Sequence, residues 1–261
     1  MQTGMKDLQG RVAGVLVGLA AGDDIGGRTE ISLRLARSLA ALQRYDPRDV
    51  FRRYLNWHRA GSFDTGVVAT CVFNLGLQGA SSDEAAAQVH QELQGQTAGC
   101  NPSHRTGVLA MSPWLSEEQL QEAARAEAGL THAHPEAAQC AAMMALECRK
   151  AIMGAPLTHD GCSTQPISPG GLASDALRAA LHFYMRARDP LAALAAAKAF
   201  AGPSNYCPVL LGALLGARHG ADIFDNASLS HHPGERVSEV RDVAWAMADR
   251  WQALSVGSGS A

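Results

Sequence analysis

Charge is scarce in this sequence. Asp, Glu, Lys and Arg make up 18% of its 261 residues, against roughly 25% in ordinary soluble domains. The 22 basic side chains are outnumbered by 25 acidic ones, for a net charge of -3. A protein that works by neutralising phosphate backbones carries a basic surplus, so no nucleic acid is expected as principal partner. The six cysteines, Cys71, Cys100, Cys140, Cys148, Cys162 and Cys207, contain no CxxC pair and no repeated short spacing. That argues against structural zinc and against a disulfide scaffold, and reads as reduced thiols in a cytoplasmic protein. Long hydrophobic runs are missing too. Val12 to Ala21 is about half of the roughly 20 residues a membrane span requires, so no membrane association is expected. Lys6 and Arg11 ahead of that run, and the small residues behind it, imitate a secretory signal, but its helical periodicity and the acidic turn that follows point to an ordinary helix.

What remains is 47% hydrophobic, enough for a large core and too apolar for disorder. The expectation is one domain over residues 1–254, with Ser255 to Ala261 as a flexible tail and the Pro/Gly/Ser-rich stretch Thr158 to Gly171 as a long surface loop. Helical patterns follow one another with hardly a β signal between them. Leu8 to Gly22 is apolar and rich in small residues that permit close backbone approach, and Ile31 to Leu42 repeats Leu33, Leu35, Leu39 and Leu42 with Arg34 and Arg37 interleaved. Asp46-Pro47 and Asp189-Pro190 place an N-cap before a first-turn proline, Ser81 with Glu84 and Ser116 with Gln119 form capping boxes, and Thr131 or His134 precedes Pro135 in the same manner. Asp64 or Thr65 caps the helix to Leu77, and Ser204 or Asn205 the helix from Tyr206 to His219. No heptad persists, so the fold class is all-α: a compact orthogonal multi-helix bundle and no coiled coil.

Four clusters carry candidate chemistry. Gly22-Asp23-Asp24 ends an almost uncharged helix, where adjacent carboxylates must be solvated, paired or bound to a cation. In Ser62-Phe63-Asp64-Thr65-Gly66, Asp64 is either a helix cap or a carboxylate for a metal, a ribose hydroxyl or a water. Cys100-Asn101-Pro102-Ser103-His104-Arg105 enters a helix and can hold an anion through its amides and Arg105, whereas a Cys100/His104 nucleophile pair lacks an orienting third group. Asn205-Tyr206-Cys207 feeds a small-residue helix, with Cys207 either a thiolate at a helix amino end or a buried structural thiol. His132 and His134 sit two apart without an HExxH arrangement, and His231-His232 reads as surface loop.

In this order the segments resemble the ADP-ribosylglycohydrolase family, which includes certain lens crystallins. Gly18-Leu19-Ala20-Ala21-Gly22-Asp23 is similar to the family's first helix with its Gly-Asp ending. Leu33 to Leu39 is similar to the helix after its metal motif, and Asp46-Pro47 with Tyr54-Leu55-Asn56-Trp57 to the next. Asp64-Thr65-Gly66 lies where the family has Asp-Ile-Gly, and Thr131-His132-Ala133-His134-Pro135-Glu136-Ala137 is close to a Thr-His-x-His-Pro-Glu-Ala signature. Asp175-Ala176-Leu177 and Gly212 to Ala217 resemble its last core helices.

The resemblance implies magnesium as the family cofactor, held in pairs by a Thr-Asp-Asp-Thr and an Asp-x-Asp-Thr stretch. Here those stretches fall on Gly26-Gly27-Arg28-Thr29 and Pro203-Ser204-Asn205-Tyr206, so four carboxylates are missing, and the loop before the first stretch is cut to a few residues. Too few anionic oxygens remain for two magnesium ions, so no metal is expected, and Arg28 can hold a pyrophosphate or carboxylate in its place. The resemblance therefore implies a divergent hydrolase of an N- or O-glycosidic bond in an ADP-ribosyl or related small molecule. In that reading Asp23 and Asp64 are catalytic, and Asp24, Arg28, Asn101, His104, Arg105, Asn205, Tyr206 and Cys207 hold substrate. The alternatives are a catalytically silent ligand-binding member, or a structural one like the crystallins.

Overall fold

A computed structural model describes residues 2–157 and 166–257. Twelve α-helices and a few short 3-10 turns account for about three quarters of the described residues, and no strand occurs among them. No helix there is long and apolar enough to cross a membrane.

At the centre lie α1 (Gln2–Gly22) and α11 (Cys207–His219). Glycine recurs every fourth residue at Gly14, Gly18 and Gly22, and Pro208, Gly212 and Gly216 repeat the spacing. Such spacing puts each set on one helix face. The two faces meet antiparallel, and a Cβ on Gly14, Gly18 or Gly22 would lie 2.0, 2.1 and 2.1 Å from the carbonyl oxygens of Gly216, Gly212 and Pro208. Backbone therefore rests on backbone. The remaining faces of α1 carry Val12, Val15, Leu16, Val17 and Leu19, all fully buried, and each such side chain contributes about 1.5–3 kcal/mol by leaving water.

Around this pair stand α2 (Gly27–Leu42), α8 (Pro135–Met153), α9 (Ala173–Arg186), α10 (Pro190–Ala201) and α12 (Gly234–Gly257). The Leu33, Leu35 and Leu39 stripe of α2 is buried, while its arginines bridge to acids: Arg34 to Glu30, and Arg37 to Glu239 of α12. A second layer contains α3 (Pro47–Arg59), α4 (Val67–Leu77), α5 (Ser82–Glu92), the short α6 (Asn101–Thr106) and α7 (Glu117–Gly129). Local capping chemistry acts as its sequence suggests. Asp46 and Asp189 accept first-turn amides ahead of prolines, Ser81/Glu84 and Ser116/Gln119 form both halves of their capping boxes, and His134 accepts the Glu136 amide.

Four expectations change. Neither Asp64 nor Thr65 caps α4: its N-cap is Gly66, at φ 74, which no side chain assists. Neither Ser204 nor Asn205 caps α11, whose N-cap is Tyr206. His231 and His232 are no free surface loop, because both direct Nε2 at the Ala20 carbonyl, at 3.1 and 3.0 Å, and His232 is buried. The carboxyl end of α12 reaches Gly257, so residues 255–257 of the expected tail are helical, while 258–261 lie outside the described residues. The expected loop from Thr158 likewise falls outside them as far as residue 165, and its remainder, 166–171, is irregular chain.

The α1–α11 contact sets a sharp test. Gly18→Ala forces a Cβ into the Gly212 carbonyl and should lower the free energy of urea unfolding by about 3 kcal/mol or more. Gly10→Ala in the same helix meets nothing within 4 Å and should leave stability unchanged or raise it by up to about 1 kcal/mol.

Candidate functional site

The amino ends of α2, α4, α9 and α11 all point to one end of the bundle. A cleft of about 130 Å³ opens there, lined by Arg28, Gly66, Val67, Val68, Gly99, Cys100, Asn101, His132, Gly171 and Tyr206. The chain before α6 is pinned to the chain before α9 by Cys100 N–H to Gly171 O at 2.9 Å and Ala173 N–H to Ala98 O at 2.8 Å. Aligned peptide dipoles make helix amino ends partly positive, so four of them around one opening favour an electron-rich guest.

Asp23 lies behind this cleft with no exposed surface. Its Oδ1 accepts from the amides of Ile25 (3.3 Å) and Gly26 (2.9 Å) and from Asn205 Nδ2 (3.1 Å), and its Oδ2 from the Thr29 amide and hydroxyl, both at 2.8 Å. Five donors occupy one carboxylate. It is a cap that ties the end of α1 to the first turn of α2 and the entry to α11. Asn205 holds a left-handed backbone (φ 52) to reach it.

Arg28, in the first turn of α2, is almost fully buried. Its Nη1 donates to the Asp64 carbonyl at 2.9 Å and pairs with the Asp64 carboxylate, and its Cζ lies 5.8 Å from the centre of the Tyr206 ring. Burial draws the guanidinium pKa down, while the Asp23 charge works against that shift. Asn101 donates to the Thr65 carbonyl, which fastens the Asp64–Gly66 turn to α6. Asp64 itself sits at φ 54. Tyr206 packs its ring edge against Gly171, where a Cβ would come within 3.0 Å, and its other neighbour is His104, whose ring lies parallel at 6.2 Å.

These positions do not fit a pair of magnesium ions. Where the family's first acidic stretch would fall, a guanidinium occupies the wall and is paired with the Asp64 carboxylate, and the Asp23 carboxylate behind it already has five donors directed at it. Among the described residues no three His, Cys, Asp or Glu side chains converge as a metal-holding group.

Several expected site residues lie elsewhere. Arg105 is fully enclosed in the core, with Nε on Glu127 and Nη2 on Thr131, and its guanidinium stacks 5.4 Å from the Tyr54 ring centre. Asp24, with its side chain 48% exposed, turns outward to Lys198 and His231. Asn205 is spent on Asp23. His104 is buried beneath Tyr206 and donates from Nε2 to the Tyr206 carbonyl at 3.1 Å; burial, aided by Arg28, holds its pKa well below the usual histidine range. Burial also pushes the Cys207 and Cys100 thiols up to about 12, so neither is a thiolate. Arg28, Asn101 and Tyr206 do meet in the cleft. His132 was missed as a wall residue: its motif reads as cap chemistry, which His134 in fact supplies. Gly99 and Gly171 were missed because only the pairing of two distant chain segments brings them together.

Two measurements follow. Asp23→Ala strips the acceptor from five donors and should destabilise the fold by about 3 kcal/mol or more, whereas Asp24→Ala should change unfolding free energy by less than about 0.5 kcal/mol. The buried histidines set a pH dependence. Burial first, then Arg105, lowers the His132 pKa to about 3, so between pH 6.5 and 3 the unfolded chain binds protons that the folded one refuses. Stability should fall as pH drops through that window, read as a lower urea midpoint at pH 5 than at pH 7. Replacing His104 and His132 by Gln should flatten the difference, and equal midpoints in the parent protein would contradict it.

The comparisons with known proteins agree with this architecture. A solved structure described as an ADP-ribosylglycohydrolase-related protein complex superposes with a TM-score of 0.71 at 24% identity, over 94% of this chain and 99% of that one, a likeness of fold. No curated protein matches the chain. The sequence profile of the ADP-ribosylglycohydrolases matches residues 28–164, more than half of the length, and the chain belongs to the ADP-ribosylglycohydrolase family.

Proposed function

We propose that this chain is a ligand-binding member of its family, whose cleft receives a phosphate-bearing part of an ADP-ribosyl-like small molecule without the help of metal ions. The observation that carries the reading is Arg28: a buried guanidinium paired with Asp64, beside Tyr206, where family enzymes concentrate carboxylates. A guanidinium holds phosphate oxygens through paired N–H donors, and only Nη1 of Arg28 is engaged, while its Nε is buried without a partner. Volume limits what enters. A cavity of about 150 Å³ accommodates benzene, so a cleft of about 130 Å³ takes one phosphate or one sugar ring, and the rest of an ADP-ribosyl group would lie across its mouth.

Hydrolysis needs a base with a free lone pair near the reacting water. Asp23 is saturated with donors, and the thiols and His104 are buried and neutral. One observation favours a residual hydrolase: Asp64 keeps its side chain 18% exposed in a left-handed backbone conformation of the sort that clusters at active sites. There it would direct water, with Arg28 holding the substrate.

Calorimetry and turnover assays separate the two. ADP-ribose should bind equally with magnesium and with chelator, and Arg28→Ala should weaken it about tenfold or more. Incubation with ADP-ribosyl-arginine or O-acetyl-ADP-ribose should release no product. Turnover that disappears in Asp64→Asn would establish the residual hydrolase, and binding that requires magnesium would overturn both readings.

A further inference from the structure

A file of buried polar groups runs from the core to the wall of the cleft. Tyr54 donates its hydroxyl to Glu127 Oε1 at 2.7 Å, and Arg105 Nε donates to the same oxygen. Arg105 Nη2 reaches Thr131 Oγ1 at 2.8 Å, and that hydroxyl lies 2.8 Å from His132 Nδ1. Chemistry fixes the direction of each link. A guanidinium can only donate, so Thr131 Oγ1 accepts from Arg105. The hydroxyl keeps one proton of its own to place. Thr131 has no exposed surface, and among the described residues His132 Nδ1 is the acceptor within its reach. Were Nδ1 protonated, the Thr131 hydroxyl proton would be buried without a partner, an arrangement folded proteins avoid. Nδ1 therefore accepts, and the ring proton resides on Nε2. That nitrogen lies on the cleft side, 3.3 Å from where a Cβ on Gly99 would sit, and it has no partner among the described residues.

We propose that Arg105, acting through Thr131, fixes His132 as an Nε2–H donor in the cleft wall, so that the cleft selects a ligand group bearing an acceptor oxygen and turns away one that can only donate. The selectivity rests on the ligand-binding reading above; the tautomer does not. Arg28 is also a pure donor, so two walls of the cleft ask the same of the guest. Arg105 is in this sense a positioning residue: it touches no ligand, and its pairing with Glu127 and Tyr54 keeps its own fork in place. The charged and titratable groups close to the His132 ring are Arg105 and His104, and Arg105 opposes any second proton on it.

The tautomer can be read directly by long-range proton–nitrogen NMR on the ¹⁵N-labelled full chain, with the His132 signals assigned by their loss in His132→Gln. The expected result is one Nε2–H form, unchanged as pH is lowered from 8 to 5. Thr131→Val, which keeps shape and removes the hydroxyl, should give a mixture of tautomers or the Nδ1–H form, and Thr131→Ser should restore the parent pattern. ADP-ribose and inorganic phosphate are then titrated in. A probe that binds should move the His132 Nε2 signals, and Thr131→Val should bind it about tenfold more weakly than Thr131→Ser. An Nδ1–H form in the parent protein, or a Val variant with the parent tautomer, would overturn the positioning role. A bound probe that leaves Nε2 unmoved would overturn the selectivity. If neither probe binds, the ligand-binding reading fails, and the tautomer measurement alone still decides the role of Arg105.

Discussion

The closeness of α1 to α11 sets the rest of the molecule in place. Gly14, Gly18 and Gly22 on one helix face the backbone carbonyls of Gly216, Gly212 and Pro208 on the other, and with no Cβ on any of those glycines the backbones touch. Because the pairing is antiparallel, the carboxyl end of α1 arrives beside the amino end of α11, and Asp23 comes within reach of Asn205 although 182 residues separate them. Asp23 is then pinned from three sides. Its second oxygen takes the Thr29 amide and hydroxyl, which fixes the first turn of α2 and leaves Arg28 little choice but to face Asp64 and Tyr206. A helix seam thus determines, through one carboxylate, where Arg28, the one strong cation among the described residues that line the cleft, stands.

The electrostatic consequence is a cleft that has exchanged anionic oxygens for hydrogen-bond donors. Four helix amino ends surround it, each partly positive through its aligned peptide dipoles, although Asp23 takes up the Gly26 and Thr29 amides at that of α2. In a site built for divalent cations such ends require several carboxylates to reverse their field. Here one carboxylate, Asp23, is consumed in capping, another, Asp64, is neutralised by Arg28, and the position of a third residue in the late motif is taken by Asn205. What faces the opening is a guanidinium, an imidazole and the edge of a phenol ring. In the ligand-binding reading proposed above, these groups would meet the oxygen atoms of a guest.

How much of this could be read in the sequence depended on the distance over which each decision is made. The caps at Asp46, Ser81, Ser116, His134 and Asp189 act within three residues, and their chemistry is written in the local spacing. The small residues of α1 announced a close neighbour, and the loss of the acidic stretches around Arg28 and Asn205 announced an altered site. The destination of a long polar side chain was not legible. Arg105 stands one residue from His104 in a loop that looks exposed, yet its partner Glu127 is 22 positions away on another helix and draws it into the core. Asn205 resembles a helix cap and instead spends its amide on Asp23. Glycines at 99 and 171 become cleft walls only because two irregular segments pair. In each case the competing local role was reasonable, and a tertiary partner displaced it.

Arg28 and Arg105 show why burying a cation has opposite results in two parts of one domain. Each gives up hydration, a loss that must be offset by paired acids and hydrogen bonds. Arg105 is offset by Glu127, Thr131 and the ring face of Tyr54, although its Nη1 is also buried without a partner, and it influences the cleft only through what it imposes on its neighbours. Arg28 has Asp64 and one carbonyl, and its Nε lacks any partner. A buried donor left unpaired is costly, and it is relieved when an acceptor arrives. If the cleft takes a ligand as proposed, the deficit at Arg28 would favour a guest in proportion to the oxygen lone pairs it brings there.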